Sequence, residues 1–445
     1  MQLLFVSLGC DKNLTNTEEM MGLLSKEGYQ FTDNEEEADV IIINTCCFIG
    51  DAKEESVNTI LQMAEQKTEK GGKCRALVVC GCLAQRYSEE IKTEIPEVDA
   101  VIGTSAYEDI ITAVNNALAK NGKSSFITDI NYLPNVETDR LVTTGGHYAY
   151  LKIAEGCNKH CTYCIIPKLR GTYRSVPMEK LIKEAKRLGS IGVKELILVA
   201  QETTLYGVDL YGEKTLPKLL DELSKVDGIE WIRLLYAYPE EITDEIIAAI
   251  RDNDKVCNYI DMPIQSGSDA VLKRMGRLTD TKSIKATVEK LRKEIPDICI
   301  RTTLISGFPG ETDDDHDLTM QFVDEMEFDR LGVFPYSREE DTPAAKFPQQ
   351  VNDAYKETRR AEIMELQQEI AFAKNEDMVG QVVTAFIEGR VVEDNAYVAR
   401  TYKDAPGIDG FLFINNCTRD FMSGDMVKVR ITGAYEYDLI GELEE

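Results

Sequence analysis

Residues 155–171 read EGCNKHCTYCIIPKLRG, and the C-x3-C-x2-C spacing of Cys157, Cys161 and Cys164 decides what the middle of the chain is built around. Three thiolates on one short loop can hold three irons of a 4Fe–4S cube and leave the fourth iron without a protein ligand. An open iron can bind and activate a small molecule, whereas a cube with four cysteines mainly passes electrons. A zinc loop completed by His160 is the competing reading. His160 directly precedes Cys161, however, and adjacent residues reach one tetrahedral ion poorly. The spacing therefore predicts an iron–sulfur site with one open corner.

The loop follows a β-like run, YAYLKI, and five more such runs recur downstream: ELILVA, WIRLLYAY, NYIDMPI, CIRTTLI and RLGVFPY. Amphipathic helical stretches, for example 178–188 and 281–292, separate them. Repeated βα units predict a parallel barrel, or part of one, over residues 146–377, with its chemistry at the carboxyl ends of the strands. Cys157 opens the loop after the first run, where that rule puts an active site. Gln201, Gln265 and Arg301 lie at or near the ends of later strands and are candidate contacts for a polar ligand. The turn GFPG (307–310) either lets the backbone approach a ligand or simply reverses the chain.

Upstream, LLFV, DVIIINT, ALVVCGC and AVIG read as buried parallel strands with helices between them, a small doubly wound α/β domain over 1–118. Cys10, Cys46 and Cys82 follow its first three strands. In such sheets the loops after the strands gather along one edge, so three cysteines distant in sequence converge in space. Cys47, Cys74 and Cys80 fall outside that phase, and free cysteine is a common core residue. Residues 119–145 are polar, contain Gly and Pro, and read as a linker. From 378 to 445 short strands alternate with turn residues, which predicts a five-stranded β-barrel of OB type. The chain as a whole is an α/β multidomain protein.

Composition narrows the chemistry. Only His147, His160 and His316 are histidines, so serine triads and histidine-rich metal centres are poorly supplied. Twelve cysteines in 445 residues are too sparse for a disulfide scaffold and fit a reducing cytoplasm. The start, MQLLFVSLGC, ends as a lipoprotein leader would, but lacks a cationic segment and is too short to span a membrane. The formal net charge is −28, from 78 acidic and 50 basic residues. A nucleic-acid binder usually shows the opposite balance. Even the terminal barrel carries six basic residues (Arg390, Arg400, Lys403, Arg419, Lys428 and Arg430) against twelve acidic ones. Such acidity suits solubility or a basic partner.

The cysteine loop, with Tyr163 before its last cysteine, resembles that of radical S-adenosylmethionine (SAM) enzymes. With SLGCDKN (7–13), NTCCFIGDAKEES (44–56), GCLAQRY (81–87), IPKLRGTYRS (166–175) and ISGFPGET (305–312), the whole chain resembles the radical SAM methylthiotransferases. That family's N-terminal domain, radical SAM partial barrel and C-terminal TRAM domain account for the three regions. The resemblance implies two 4Fe–4S clusters, one on Cys157, Cys161 and Cys164, and an auxiliary one on Cys10, Cys46 and Cys82. It also implies SAM as cofactor, with Tyr163, Gln201, Gln265 and Arg301 as candidate binding residues, and an external electron donor and sulfur donor as partners.

Two branches of the family compete. QETTLYGVDLYG (201–212), RLLYAYPE (233–240), VFPYSREEDTPAA (333–345) and DAPGIDG (404–410) are similar to the branch that methylthiolates an aspartate of ribosomal protein S12. QSGSD (265–269) is closer to the branch acting on a tRNA adenosine. Charge favours the basic protein substrate and repels tRNA by the same field. Acids of the terminal barrel, Asp404 and Asp409 among them, are expected to dock it. Lys168, Arg170 and Arg174 either offset cluster charge or form a solvated basic turn. A two-cluster electron carrier is the alternative from another class, though ferredoxin-type spacing completes each cluster with a fourth cysteine. A cobalamin-dependent radical enzyme would also carry an extra N-terminal domain, typically with a histidine ligand, and no histidine precedes His147.

Overall fold

Runs of branched aliphatic residues set the first sheet. The strands are β1 (Gln2–Ser7), β2 (Gln30–Phe31), β3 (Val40–Thr45), β4 (Ala76–Gly81), β5 (Ala100–Ile102) and β6 (Ser124–Phe126). All are parallel, in the order β2-β1-β3-β4-β5-β6. Every residue of β3 and β4 is buried, because both faces of the sheet are covered. One face packs Ile41, Ile43, Leu77 and Val79 with Cys47 and Cys82; the other packs Val40, Ile42, Val78 and Cys80 with Met20 and Val114. The chain leaves β1 first toward β2 and then crosses to β3. The β1/β3 boundary is thus the switch point at which ligand crevices form in doubly wound sheets. Cys10 begins the entry to α1 (Asp11–Lys26) after β1, and Cys46 follows β3 ahead of α2 (Gly50–Ala64). Cys82 opens α3 (Cys82–Arg86) after β4.

This computed structural model describes residues 1–120, 122–136, 139–392, 396–415, 417 and 419–444. The chain divides into two compact units. The first is Met1–Thr143 with Ala154–Arg174 and Ser337–Ala345; the second is Thr144–Ile153, Ser175–Tyr336 and Lys346–Glu445. Two sequence expectations are corrected here. The stretch 119–145, part of which (121, 137 and 138) lies outside the described residues, is more than a linker. It supplies the edge strand β6, and Arg140 is buried in an ion pair with Glu18 at 2.6 Å. Polarity signalled a loop, but short edge strands and paired charges are polar too. Nor do the packing units follow the boundary at residue 146, since the cysteine loop belongs to the first unit.

In the second unit six parallel strands follow one another in chain order. They are β7 (Tyr148–Lys152), β8 (Glu195–Val199), β9 (Trp231–Leu234), β10 (Val256–Asp261), β11 (Cys299–Ser306) and β12 (Arg330–Pro335). The sheet is an open partial barrel. A 24-residue helix, Asp353–Glu376, capped by Asn352, leads into a closed five-stranded barrel. Its strands are β13 (Val382–Val391), β14 (Ala396–Thr401), β15 (Leu412–Asn415), β16 (Met426–Ala434) and β17 (Leu439–Leu443).

The small barrel packs on the amino-terminal ends of the parallel strands. Phe386 and Ala405 share an apolar cluster with Trp231, Cys257 and Cys299, and the Trp231 and Phe386 rings meet edge-on at 4.4 Å. Glu195, the first residue of β8, accepts from Arg233 at 2.7 Å and from Arg400 at 2.5 Å. Arg330, the first residue of β12, donates to Asp404 at 2.6 Å. Asp409 accepts from the Tyr259 hydroxyl at 2.8 Å and faces Arg301 at 3.4 Å. Asp404 and Asp409, expected as docking acids, are therefore internal ion-pair partners. Sequence shows that a residue is acidic, but not which side of a turn is covered.

Candidate metal centre

Local geometry explains how the first three cysteines are held. Gly9 has φ +85°, a left-handed conformation, and a Cβ there would stand 2.6 Å from the Cys46 Cβ. The β1 exit and Cys46 can approach so closely only because residue 9 is a glycine. The Asn13 side-chain amide donates to Leu8 O and Thr45 O, both at 3.0 Å, and so ties the β1 exit to the β3 exit. Ser56 clamps the Cys46 backbone: its hydroxyl accepts from Cys46 N at 3.0 Å and donates to Cys46 O at 2.8 Å. Gly81, φ +93°, turns β4 into α3 against the Asn44 side chain, which presents Cys82 to the same edge.

Cys46 and Cys82 are buried and Cys10 is half-buried. Burial, then the neighbouring Cys82 and Cys10, push the Cys46 thiol up to about 12. Burial also raises Cys82, opposed by the Arg170 guanidinium and reinforced by Cys10. Cys46 and Cys82 thus each sense Cys10 across the strand exits. Cys80 is a core thiol on the opposite face, as its phase implies.

The second trio lies in the loop between the short strand Ala154–Glu155 and the helix Ile166–Arg170, within the same compact unit. Gly156, φ +79°, has no room for a Cβ against Thr172 O. Cys157 N donates to Gly171 O at 3.1 Å, closing the base of the loop. Inside it Cys164 N donates to Cys161 O at 3.0 Å, and Lys159 N donates to the Cys157 sulfur at 3.4 Å. Tyr163 is half-buried in the loop. The helix that follows, Ile166–Arg170, anchors it: Ile165 and Leu169 share an apolar cluster with Cys82, Leu83 and Cys47. Among the described residues no three His, Cys, Asp or Glu donors come close enough to share a single metal ion.

Arg170 is no solvated turn residue. It is 1% exposed and donates to Glu155 at 2.9 Å, to the Asn13 side-chain oxygen, and to the Cys82 sulfur at 3.5 Å. Lys168 donates to Asp341 O at 2.8 Å, and Arg174 to Arg170 O at 3.0 Å. The segment Ser337–Ala345 completes the unit. Glu339 pairs with Arg86 at 3.1 Å, and Ala344 N donates to Thr162 O at 2.9 Å. Sequence reading gave Asn13, Glu155 and this segment no role in the site. Asn13 did lie within SLGCDKN and Glu339 within VFPYSREEDTPAA, but nothing local told of their partners.

In the second unit Gln201 is half-buried two residues beyond β8. Gln265 has φ +75°, yet its N donates to Thr303 O and its O accepts from Ile305 N, both at 2.9 Å. Tyr236, just past β9, has φ +59° and donates through N to Asp261 at 3.0 Å. Such strained conformations at strand ends are common in ligand sites. Arg301 differs from expectation: it lies inside the strand, paired with Asp261 at 2.7 Å and beside Asp409. The GFPG turn closes on Glu311, which accepts from Gly307 N at 3.0 Å.

With this geometry established, comparison with known proteins is specific. Residues 2–103 match the Uncharacterized protein family UPF0004, 151–323 the Radical SAM superfamily and 379–443 the TRAM domain. The chain is 57% identical, over the full length of both sequences, to "Ribosomal protein uS12 methylthiotransferase RimO" of Lachnoclostridium phytofermentans. It is 49% identical to the protein of that name from Alkaliphilus oremlandii, covering 99% of this chain and 98% of that one. For the Clostridioides difficile protein of that name identity is 48%, over 98% and 97%. Among solved structures, the radical SAM methyltransferase TsrM of Kitasatospora setae superposes with a TM-score of 0.55 at 12% identity, covering 77% of this chain and 73% of that one. That likeness concerns the fold alone.

Proposed function

We propose, from the premise that this chain belongs to the RimO family of ribosomal protein uS12 methylthiotransferases, that it attaches a methylthio group to the β-carbon of an aspartate in that ribosomal protein. The observation that carries the reading is the pair of cysteine trios, three thiols each, held in one compact unit of a radical SAM chain. That β-carbon has no acidic hydrogen that a protein base could easily remove, so radical chemistry suits the task.

The residues fit two 4Fe–4S clusters. Each donor set is all thiol, as iron–sulfur ligation prefers, and each lacks a fourth cysteine in register. Cys157, Cys161 and Cys164 would hold one cluster and Cys10, Cys46 and Cys82 the auxiliary one. When bound, these cofactors and SAM supply one-electron cleavage of SAM and the sulfur for insertion. The chain itself positions and shields. The Lys159 N–H hydrogen-bonds the Cys157 sulfur, and Ser56 and Asn13 fix the auxiliary loops. Tyr163, Gln201 and Gln265 are the proposed SAM contacts. Arg301 is engaged by two carboxylates, so it supports the barrel interior instead.

Among the described residues no helix is long and apolar enough to cross a membrane. A ribosomal substrate supports a cytoplasmic site of action, and the chemistry calls for an external electron donor and a sulfur donor as further partners. The charge of −28 steers a basic protein toward the enzyme and disfavours tRNA. Anaerobic reconstitution tests the reading. The native chain should bind about eight irons, four per cluster. Cys157→Ala with Cys161→Ala and Cys164→Ala should halve the iron and abolish 5′-deoxyadenosine formation. Cys10→Ala with Cys46→Ala and Cys82→Ala should keep that cleavage but yield no methylthiolated S12 by mass spectrometry. Methylthiolated tRNA adenosine beside unmodified S12 would refute the substrate assignment.

A further inference from the structure

We propose that Arg170 is a positioning residue for the auxiliary centre: it holds the Cys82 sulfur in place and sets the reduction potential of the cluster on Cys10, Cys46 and Cys82. The inference rests on the cluster assignment above.

The guanidinium sits almost entirely out of water, at 1% exposure. Arginine stays protonated there and presents a rigid fork of donors. One arm, Nη1, meets Glu155 at 2.9 Å, a carboxylate that is itself buried. That pair alone would balance the charge. The other arm, Nη2, donates to the Asn13 side-chain oxygen and to the Cys82 sulfur at 3.5 Å. Asn13 in turn holds the exits of β1 and β3, the loops of Cys10 and Cys46. One side chain thus reaches one cysteine directly and the loops of the other two through one intermediary.

Arg170 also ends the short helix that follows Cys164, so the cysteine loop of the other trio and the auxiliary loops share one buried cation. Glu155 stands two residues before Cys157, which fixes the fork from the loop side. A cation and an N–H···S hydrogen bond at a ligating sulfur stabilise the more negative, reduced state of a cluster, and both raise its potential. Lysine would keep the charge but not the two-armed geometry.

The experiment uses the full chain carrying Cys157→Ala, Cys161→Ala and Cys164→Ala, so that only the auxiliary cluster remains. Arg170→Gln and Arg170→Lys are introduced into it, and iron content and an EPR-monitored redox titration are compared with the parent. The expected result is a potential more negative than the parent's in Arg170→Gln and an intermediate one in Arg170→Lys. Loss of iron from Arg170→Gln with retention in Arg170→Lys supports the inference equally, since lysine keeps the positive charge and donor that the neutral amide lacks. An unchanged potential in both variants overturns it, as does equal iron loss from both, since the positive charge that lysine retains would then count for nothing at the cluster. A parent that binds no cluster defeats the auxiliary assignment and this inference together. A parent with four irons and unshifted variants defeats the inference alone.

Discussion

Glu195→Gln tests how the two barrels of the second unit are held together. Glu195 is fully buried and takes one arginine on each carboxylate oxygen, Arg233 at 2.7 Å and Arg400 at 2.5 Å. Each charge-assisted hydrogen bond is worth roughly 1.5–3 kcal/mol. Removing one partner of a buried ion pair costs about 3–5 kcal/mol, because the other charge stays behind uncompensated. Here two guanidinium groups remain, and among the described carboxylates only Glu388, 3.0 Å from Arg400, still pairs with them. The upper part of that range is the expected loss. Trp231, the single tryptophan of the chain, packs against Phe386 across the same junction and reports it by fluorescence. At a urea slope of about 2 kcal/mol/M, a loss of about 4 kcal/mol moves the tryptophan midpoint down by about 2 M. The pH dependence has a definite sign. Burial alone would raise the Glu195 carboxyl, but Arg400 and Arg233 outweigh it and hold the group below its ordinary value. A carboxylate with a lowered folded pKa stabilises fully above its unfolded value of about 4.3, and the gain is lost as pH falls through the folded value. The gap between native and variant should therefore be constant from neutrality to about pH 5 and shrink only in stronger acid. A midpoint shift within the roughly 0.5 kcal/mol typical of surface substitutions would refute the reasoning.

Gly9→Ala should remove about half the iron, the auxiliary share under a four-iron assignment, because its Cβ would collide with Cys46 at 2.6 Å in a left-handed turn; iron analysis and EPR check this. Asp404→Lys, which replaces the partner of Arg330 by a second buried cation, should lower the urea midpoint by about 1.5 M or more, about 3 kcal/mol or more at the same slope. Ser56→Ala strands the buried Cys46 N–H at a cost of about 1–3 kcal/mol, and faster iron release from the auxiliary cluster under a chelator should accompany it. Capture of S12 should weaken as salt rises, since exposed charges are screened over about 8 Å at physiological ionic strength; binding unchanged between low and high salt would remove charge from the account.

The sequence by itself determined the order of the βα units, the six strands of the partial barrel and the small terminal barrel. Those features are local: a strand carries its buried faces in its own residues, and a loop after a parallel strand always leaves by the same edge. Tertiary structure alone decided which side chains meet. Leu169 and Ile165 share a core with Cys82 and Leu83, and that packing, not chain order, assigns the loop of Cys157 to the N-terminal unit. Arg170 reads as one of three basic residues after a cysteine loop, and only its neighbours Glu155, Asn13 and Cys82 turn it into a buried fork. Asp404 and Asp409 read as surface acids, whereas Arg330 and Arg301, far away in sequence, make them internal. Periodicity encodes that a residue turns inward. The partner it finds there depends on long-range contacts that no local pattern contains.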